Sequence, residues 1–211
     1  MGYLEDGNVA ALELDYDPQK DSILLIGDSI RMGYCKTVRA QLANVANVFY
    51  PAENCRNSQN IITNLNAWSK EFPAEEIRIV QFNCGHWDVA HWSGDEETLT
   101  SADEYRRNIQ KIIRLLRKFF PNAKLVFATT TAMNPNGIVG VNPRYNSTIE
   151  LYNQIAVEVA NASGVAVNDL YAITKTYTTE MYRDHCHMTE ATSEELGKAV
   201  ADFLRQYSSA N

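Results

Sequence analysis

Ser22-Ile23-Leu24-Leu25-Ile26-Gly27-Asp28-Ser29 is a short apolar run that breaks off at a glycine and ends on a hydroxyl. An uninterrupted run of this length suits a strand buried on both faces, the usual condition of strands in parallel sheets. Beyond it, Ile30, Met32, Val38 and Leu42 mark a helix. Ser29 therefore stands where a strand hands over to a helix. At such a junction the free N–H groups and the positive end of the helix dipole face an anion.

The same alternation continues along the chain. Strand-like runs recur at residues 22–27, 47–50, 77–82, 124–130 and 165–168, with helical patterns between them. Ser101 and Glu104 form a capping-box pattern ahead of Tyr105, Ile109, Ile112, Ile113 and Leu116, and Pro121 stops that helix. Leu151, Ile155 and Val159 mark another, closed by Gly164. In the last helix, Thr192 and Glu195 read as the cap, with Leu196, Val200, Phe203, Leu204 and Tyr207 as the buried stripe. Five strands alternating with helices predict a three-layer α/β/α domain around a mostly parallel five-stranded sheet. Ligands bind such sheets at the carboxyl ends of the strands, beside the switch in strand order. Residues 1–20 are acidic and weakly patterned, so they read as an N-terminal extension, and residues 21–211 as the domain.

Near the other end of the chain stands Asp184-His185-Cys186-His187. A serine hydroxyl is a poor nucleophile at neutral pH. Acyl transfer needs an imidazole to take its proton and a carboxylate to fix the tautomer of that imidazole. Ser29, His187 and Asp184 supply the three groups. Taken singly, Gly-Asp-Ser is a helix cap and Asp-x-x-His a surface capping pair; it is their joint occurrence that points to a nucleophilic site.

Composition narrows the alternatives. The 211 residues are 45% hydrophobic, enough for one large core, and the net charge is −7. With no cluster of Lys and Arg interleaved with aromatics, neither nucleic acid nor an anionic membrane is an expected partner. No apolar segment reaches spanning length and the first residues lack the pattern of a secretory signal, so the expectation is a cytoplasmic protein. Cys35, Cys55, Cys84 and Cys186 have no Cys-x-x-Cys spacing and read as free thiols. His86, His91, His185 and His187 fall in two segments near Cys84 and Cys186, yet the only close pair is His185-x-His187; no metal and no cofactor are expected.

These motifs resemble the SGNH/GDSL hydrolases, a flavodoxin-like family of esterases and lipases with a short Gly-Asp-Ser motif and a late Asp-x-x-His. The likeness runs from Gly27 to the helix ending near Tyr207. It implies Ser29 as nucleophile, His187 as general base and Asp184 as its orienter. Two middle motifs depart from the family pattern. Where the family has a glycine whose N–H joins the oxyanion hole, this chain reads Pro51-Ala52-Glu53-Asn54-Cys55-Arg56, which puts Cys55 in that role beside the Ser29 N–H. The usual Gly-x-Asn-Asp reads Gly85-His86-Trp87-Asp88, with Trp87 in the place of the amide donor. Asn83 is the preferred replacement, with Trp87 and Asn54 as alternatives. Asn54, Arg56 and Trp87 are expected to touch substrate. The loops around the site carry Asn, Arg, His and Trp more than Leu or Phe. That favours a small polar ester, an acetylated sugar above all, over a long acyl chain. A rival of another class is a ligand-binding protein that keeps the fold without turnover; within the enzymes, thioesterase and lysophospholipase chemistry stay open.

Overall fold

The computed structural model describes residues 16–137 and 140–208. Five strands, β1 (Asp21–Ile26), β2 (Ala46–Phe49), β3 (Ile77–Phe82), β4 (Lys124–Ala128) and β5 (Ala166–Asn168), form one sheet in the order β2-β1-β3-β4-β5, and every pairing is parallel. The helices are α1 (Ser29–Leu42), α2 (Ser58–Glu71), α3 (Ala102–Phe119), α4 (Asn146–Ala162), the short α5 (Leu170–Thr174) and α6 (Glu190–Arg205). This is the expected three-layer α/β/α architecture.

The apolar run that opens β1 is buried on both faces, as its composition requires. Leu24 and Ile26 enter the core shared with α2, α3 and α4, while Ile23 and Leu25 enter the core shared with α1 and α6. Each of these four side chains is at most 1% exposed, and such burial contributes roughly 1.5–3 kcal/mol apiece. The chain winds from β1 out to β2, then returns across β1 to β3. The strand order therefore reverses between β1 and β3, whose carboxyl ends align at Ile26 and Phe82. That is the place where a doubly wound sheet binds its ligand.

Several local expectations hold for the reasons given. Ser101 caps α3 by accepting from the Glu104 N–H at 3.4 Å, and Tyr105, Ile109, Ile112, Ile113 and Leu116 are all buried. Gly164 adopts a φ of 64°, the left-handed closure expected after α4. Others are corrected. The cap of α6 is Thr189, whose hydroxyl accepts from the Thr192 N–H at 3.3 Å, so Thr192 lies inside the helix and is buried there. Leu151 and Met32 are exposed; α4 buries Ile149, Tyr152 and Ala156 beside Ile155 and Val159. Most of the extension read at residues 1–20 lies outside the described residues. Its end is tied to the sheet, with the Asp17 N–H donating to Asn47 Oδ1 at 2.9 Å and the Tyr16 ring against Phe49. No described helix is long and apolar enough to cross a membrane.

Candidate active site

Ser29 is the first residue of α1, directly after the turn that follows β1. Asp28 caps the helix by accepting from the Ile30 N–H at 3.0 Å, and it is completely buried, which raises its carboxyl above the usual range. The turn is held from below by Arg31. That buried guanidinium donates to the carbonyls of Gly27 (3.2 Å from Nη2), Pro51 (2.9 Å) and Glu53 (2.6 Å). It thereby ties the serine turn to the loop between β2 and α2. Gly27 is required by close approach, since a Cβ there would stand 2.0 Å from Asn83 Oδ1 and 2.8 Å from Arg31 Cβ.

The other half of the site comes from the segment before α6. Tyr182 and Met188 form an antiparallel bridge, the Arg183 N–H donates to the His187 carbonyl at 2.9 Å, and the Thr189 N–H to the Met181 carbonyl at 2.9 Å. This closed loop presents Asp184 and His187 together. Asp184 Oδ1 accepts from the N–H groups of Cys186 (2.9 Å) and His187 (2.8 Å), and Asp184 Oδ2 lies 2.8 Å from His187 Nδ1. Burial by itself would push the Asp184 carboxyl up, but the two backbone donors and the His187 ring outweigh it and bring it down to about 2. An ionised acceptor at Nδ1 fixes the proton on that nitrogen. His187 Nε2 then carries the lone pair, and it lies 2.7 Å from Ser29 Oγ. The residues nominated as nucleophile, base and orienter thus form one continuous hydrogen-bonded chain.

Ser29 and His187 open onto a cavity of ≈ 410 Å³ whose walls include Asn54, His86, Trp87, Trp92, Arg144 and His185. A smaller cavity of ≈ 290 Å³ shares those two residues and is lined further by Ile30, Arg183, Met188 and Glu190. An ester placed at Ser29 can therefore extend in two directions. Trp87 and Trp92 stack with centroids 5.2 Å apart, and Arg56 lies 6.0 Å from the Trp87 ring, outside the cavity wall. Asn54 reaches the cavity while its Oδ1 accepts from the Arg56 N–H at 2.9 Å, which leaves the amide nitrogen for a ligand.

Two expected oxyanion donors are placed differently. The Cys55 N–H donates to the Gly27 carbonyl at 3.1 Å. That bond stitches the loop after β2 onto the serine turn and takes the donor away from the site, a correction of the role expected for Cys55. Asn83 packs over Gly27 and does not line either cavity; its Oδ1 is buried without a hydrogen-bond partner among the described residues.

Sequence reasoning missed three groups that shape the site. Asp88 is buried and accepts from the Ser58 N–H (3.1 Å) and hydroxyl (2.5 Å), and Asn108 donates to that same hydroxyl (2.9 Å). This network anchors the start of α2 to the loop after β3, and burial pushes the Asp88 carboxyl up to about 6. Its sequence signal was the final Asp of Gly85-His86-Trp87-Asp88. Arg31 and Arg144 had none, because a buried or cavity-lining arginine carries no local pattern. All four cysteines are free and buried, and burial raises the Cys186 thiol to about 12. Asp184, His185 and Cys186 hold one donor atom each within 4.8 Å of one another, but the carboxylate is committed to His187 and that thiol resists ionisation.

A model of the GDSL-like Lipase/Acylhydrolase family matches residues 25–194. The chain belongs to that family. This GDSL hydrolase shares its fold with solved structures of low identity. A lipase/acylhydrolase from Enterococcus faecalis superposes with a TM-score of 0.68 at 20% identity, covering 90% of this chain and 98% of the other. The acetyl xylan esterase AlAXEase gives 0.69 at 16% identity, covering 87% and 99%. A carbohydrate acetylesterase from Sinorhizobium meliloti gives 0.65 at 14% identity, covering 89% and 99%. No curated protein matches the GDSL hydrolase in sequence.

Proposed function

We propose that this GDSL hydrolase is a serine esterase that removes short acyl groups, acetyl in the first place, from a small polar carrier such as a sugar. The observation that carries the reading is the 2.7 Å contact of Ser29 Oγ with His187 Nε2, backed by the 2.8 Å contact of His187 Nδ1 with Asp184. Ser29 Oγ attacks the ester carbonyl as His187 Nε2 takes its proton. The oxyanion is met by the Ser29 N–H at the start of α1 and by the Asn54 amide nitrogen. His187 returns the proton to the departing alcohol, and water, activated by the same imidazole, releases the acid from Ser29. The ionised Asp184 holds the imidazole in the working tautomer throughout, and no cofactor takes part.

Carrier and acyl length rest on the cavity. Its wall sets two stacked indoles beside the polar side chains of Asn54, His86, Asn142 and Arg144, a pairing of flat apolar faces with hydrogen-bonding groups that suits a sugar ring. The acetyl xylan esterase and the carbohydrate acetylesterase that share the fold support the same direction. A second reading, a ligand-binding protein without turnover, draws on the Cys55 N–H being spent on Gly27, since one lost oxyanion donor costs on the order of a hundredfold in rate. Hydrolysis of p-nitrophenyl acetate, butyrate and octanoate, with Ser29→Ala as the blank, separates the two. The proposal expects turnover that declines with chain length and vanishes in the variant; no turnover of any of the three by the wild type would favour the binding protein.

A further inference from the structure

The larger cavity holds one formally charged group among the described residues that line it, Arg144. This half-buried guanidinium is not held by an acid: none of the ion pairs among the described residues includes it. Its bonds run instead to neutral acceptors. Nε donates to the His86 carbonyl, and Nη1 donates to the Asn142 carbonyl at 3.5 Å and to His185 Nε2 at 3.1 Å. Because arginine only donates, the last bond fixes the lone pair of His185 at Nε2 and places its proton on Nδ1, toward Asp184. Among the described residues, Nη2 has no hydrogen-bond partner.

The neighbouring groups do not neutralise this charge. Asp184, the acid beside His185, is already shared between His187 and two backbone N–H groups. His86 is nine-tenths buried on the same wall. Its Nε2 is bonded to the Thr131 hydroxyl at 2.9 Å, and its Nδ1 has no hydrogen-bond partner among the described residues. Burial, reinforced by Arg144, takes the His86 imidazole down to about 3, so it stays neutral and adds no second charge. A half-desolvated guanidinium fixed by two carbonyls and an imidazole, with one nitrogen unused and no counter-ion among the described residues, is poised to bind an anion.

We infer that Arg144 reads a carboxylate on the substrate, so that the preferred ester of this hydrolase is anionic. This rests on the esterase reading for its chemistry, but binding alone tests it. A planar guanidinium accepts a carboxylate with directional, charge-assisted bonds, whereas a neutral acetylated carrier would leave the charge unmet. The two cavities that meet at Ser29 allow the carboxylate to sit on the alcohol part or on the acyl part, and the probes distinguish them.

The experiment uses Ser29→Ala, in which no turnover is expected, and isothermal titration calorimetry with three esters: phenyl acetate, 4-acetoxybenzoate with its carboxylate on the leaving group, and monophenyl succinate with its carboxylate on the acyl part. At least one of the two anionic esters is expected to bind about tenfold or more tighter than phenyl acetate, the low end of what a charge-assisted hydrogen bond contributes. Which of the two it is tells the side. Adding Arg144→Met is expected to erase the preference, and Arg144→Lys to retain part of it, with melting temperatures verifying that each variant is folded. Equal binding of all three esters overturns the inference with no variant needed, as does a preference that survives in folded Arg144→Met. Failure of the esterase reading is seen separately, as absence of phenyl acetate hydrolysis by the wild type, and leaves the binding result interpretable.

Discussion

Replacing Gly27 by alanine adds one methyl group at the tightest point beneath the nucleophile. The new Cβ would stand 2.0 Å from Asn83 Oδ1, 2.9 Å from Asn83 Cγ and 2.8 Å from Arg31 Cβ. Ordinary contacts lie near about 3.5 Å, so something has to move by about 1 Å or more. Asn83 is nine-tenths buried and has little room to swing, and Arg31 is anchored to three carbonyls. The strain therefore passes to the turn that carries Ser29. Overpacking of this kind costs about 1–3 kcal/mol of stability, and a shift of about 1 Å in a reacting group costs about a hundredfold in rate. The assays are chemical denaturation and kcat/KM for p-nitrophenyl acetate. The double variant Gly27→Ala/Asn83→Gly removes two of the three close contacts, along with a carboxamide oxygen that has no hydrogen-bond partner among the described residues. It is expected to recover part of the stability lost by Gly27→Ala, though not all, since the Arg31 contact stays. Wild-type stability and rate in Gly27→Ala, or no coupling between the two substitutions, would refute the packing argument.

Two further outcomes follow from the charges. Asp184→Asn keeps the backbone bonds at Oδ1 but turns an amide toward His187 Nδ1, which favours the wrong tautomer; kcat on p-nitrophenyl acetate is expected to fall by on the order of 10⁴ with little change in melting temperature. Asp88, with a folded pKa of about 6 against 3.8 for an ordinary aspartate, stabilises the fold fully only while protonated, below about pH 3.8, and that contribution is lost as pH rises through 6. Its loss is on the order of 3 kcal/mol at neutral pH, at about 1.36 kcal/mol per pH unit. Asp88→Asn is thus expected to gain on the wild type between pH 4 and pH 7 in denaturation experiments, and a difference that does not vary with pH would count against the buried-carboxylate account.

Much of the fold was legible because burial leaves a mark on composition. The run Ile23-Leu24-Leu25-Ile26 had to be a central strand, and the periodic apolar face of α3 behind Ser101 had to be a capped helix. The cap of α6 was misplaced because Thr189 and Thr192 carry the same chemistry three residues apart, and only the fold decides which one stands at the first free N–H. Leu151 looked like core because a single helical turn of spacing does not say which side faces the sheet. At the site, Ser29, Asp184 and His187 announced themselves by residue type and spacing. Cys55 could not be read correctly, since the partner that takes its N–H is the carbonyl of Gly27, 28 residues away in sequence, on the neighbouring strand's turn. Arg144 was invisible for the same reason, its neighbours being His86 and His185 from two other segments.

The central claim is that Ser29 is a nucleophile activated by His187. It is tested most directly by mass spectrometry of the protein after reaction with a fluorophosphonate. The account predicts a single adduct on Ser29, absent in Ser29→Ala and formed far more slowly in His187→Ala. No adduct on Ser29 in the folded wild type, or labelling at an undiminished rate without His187, would contradict it.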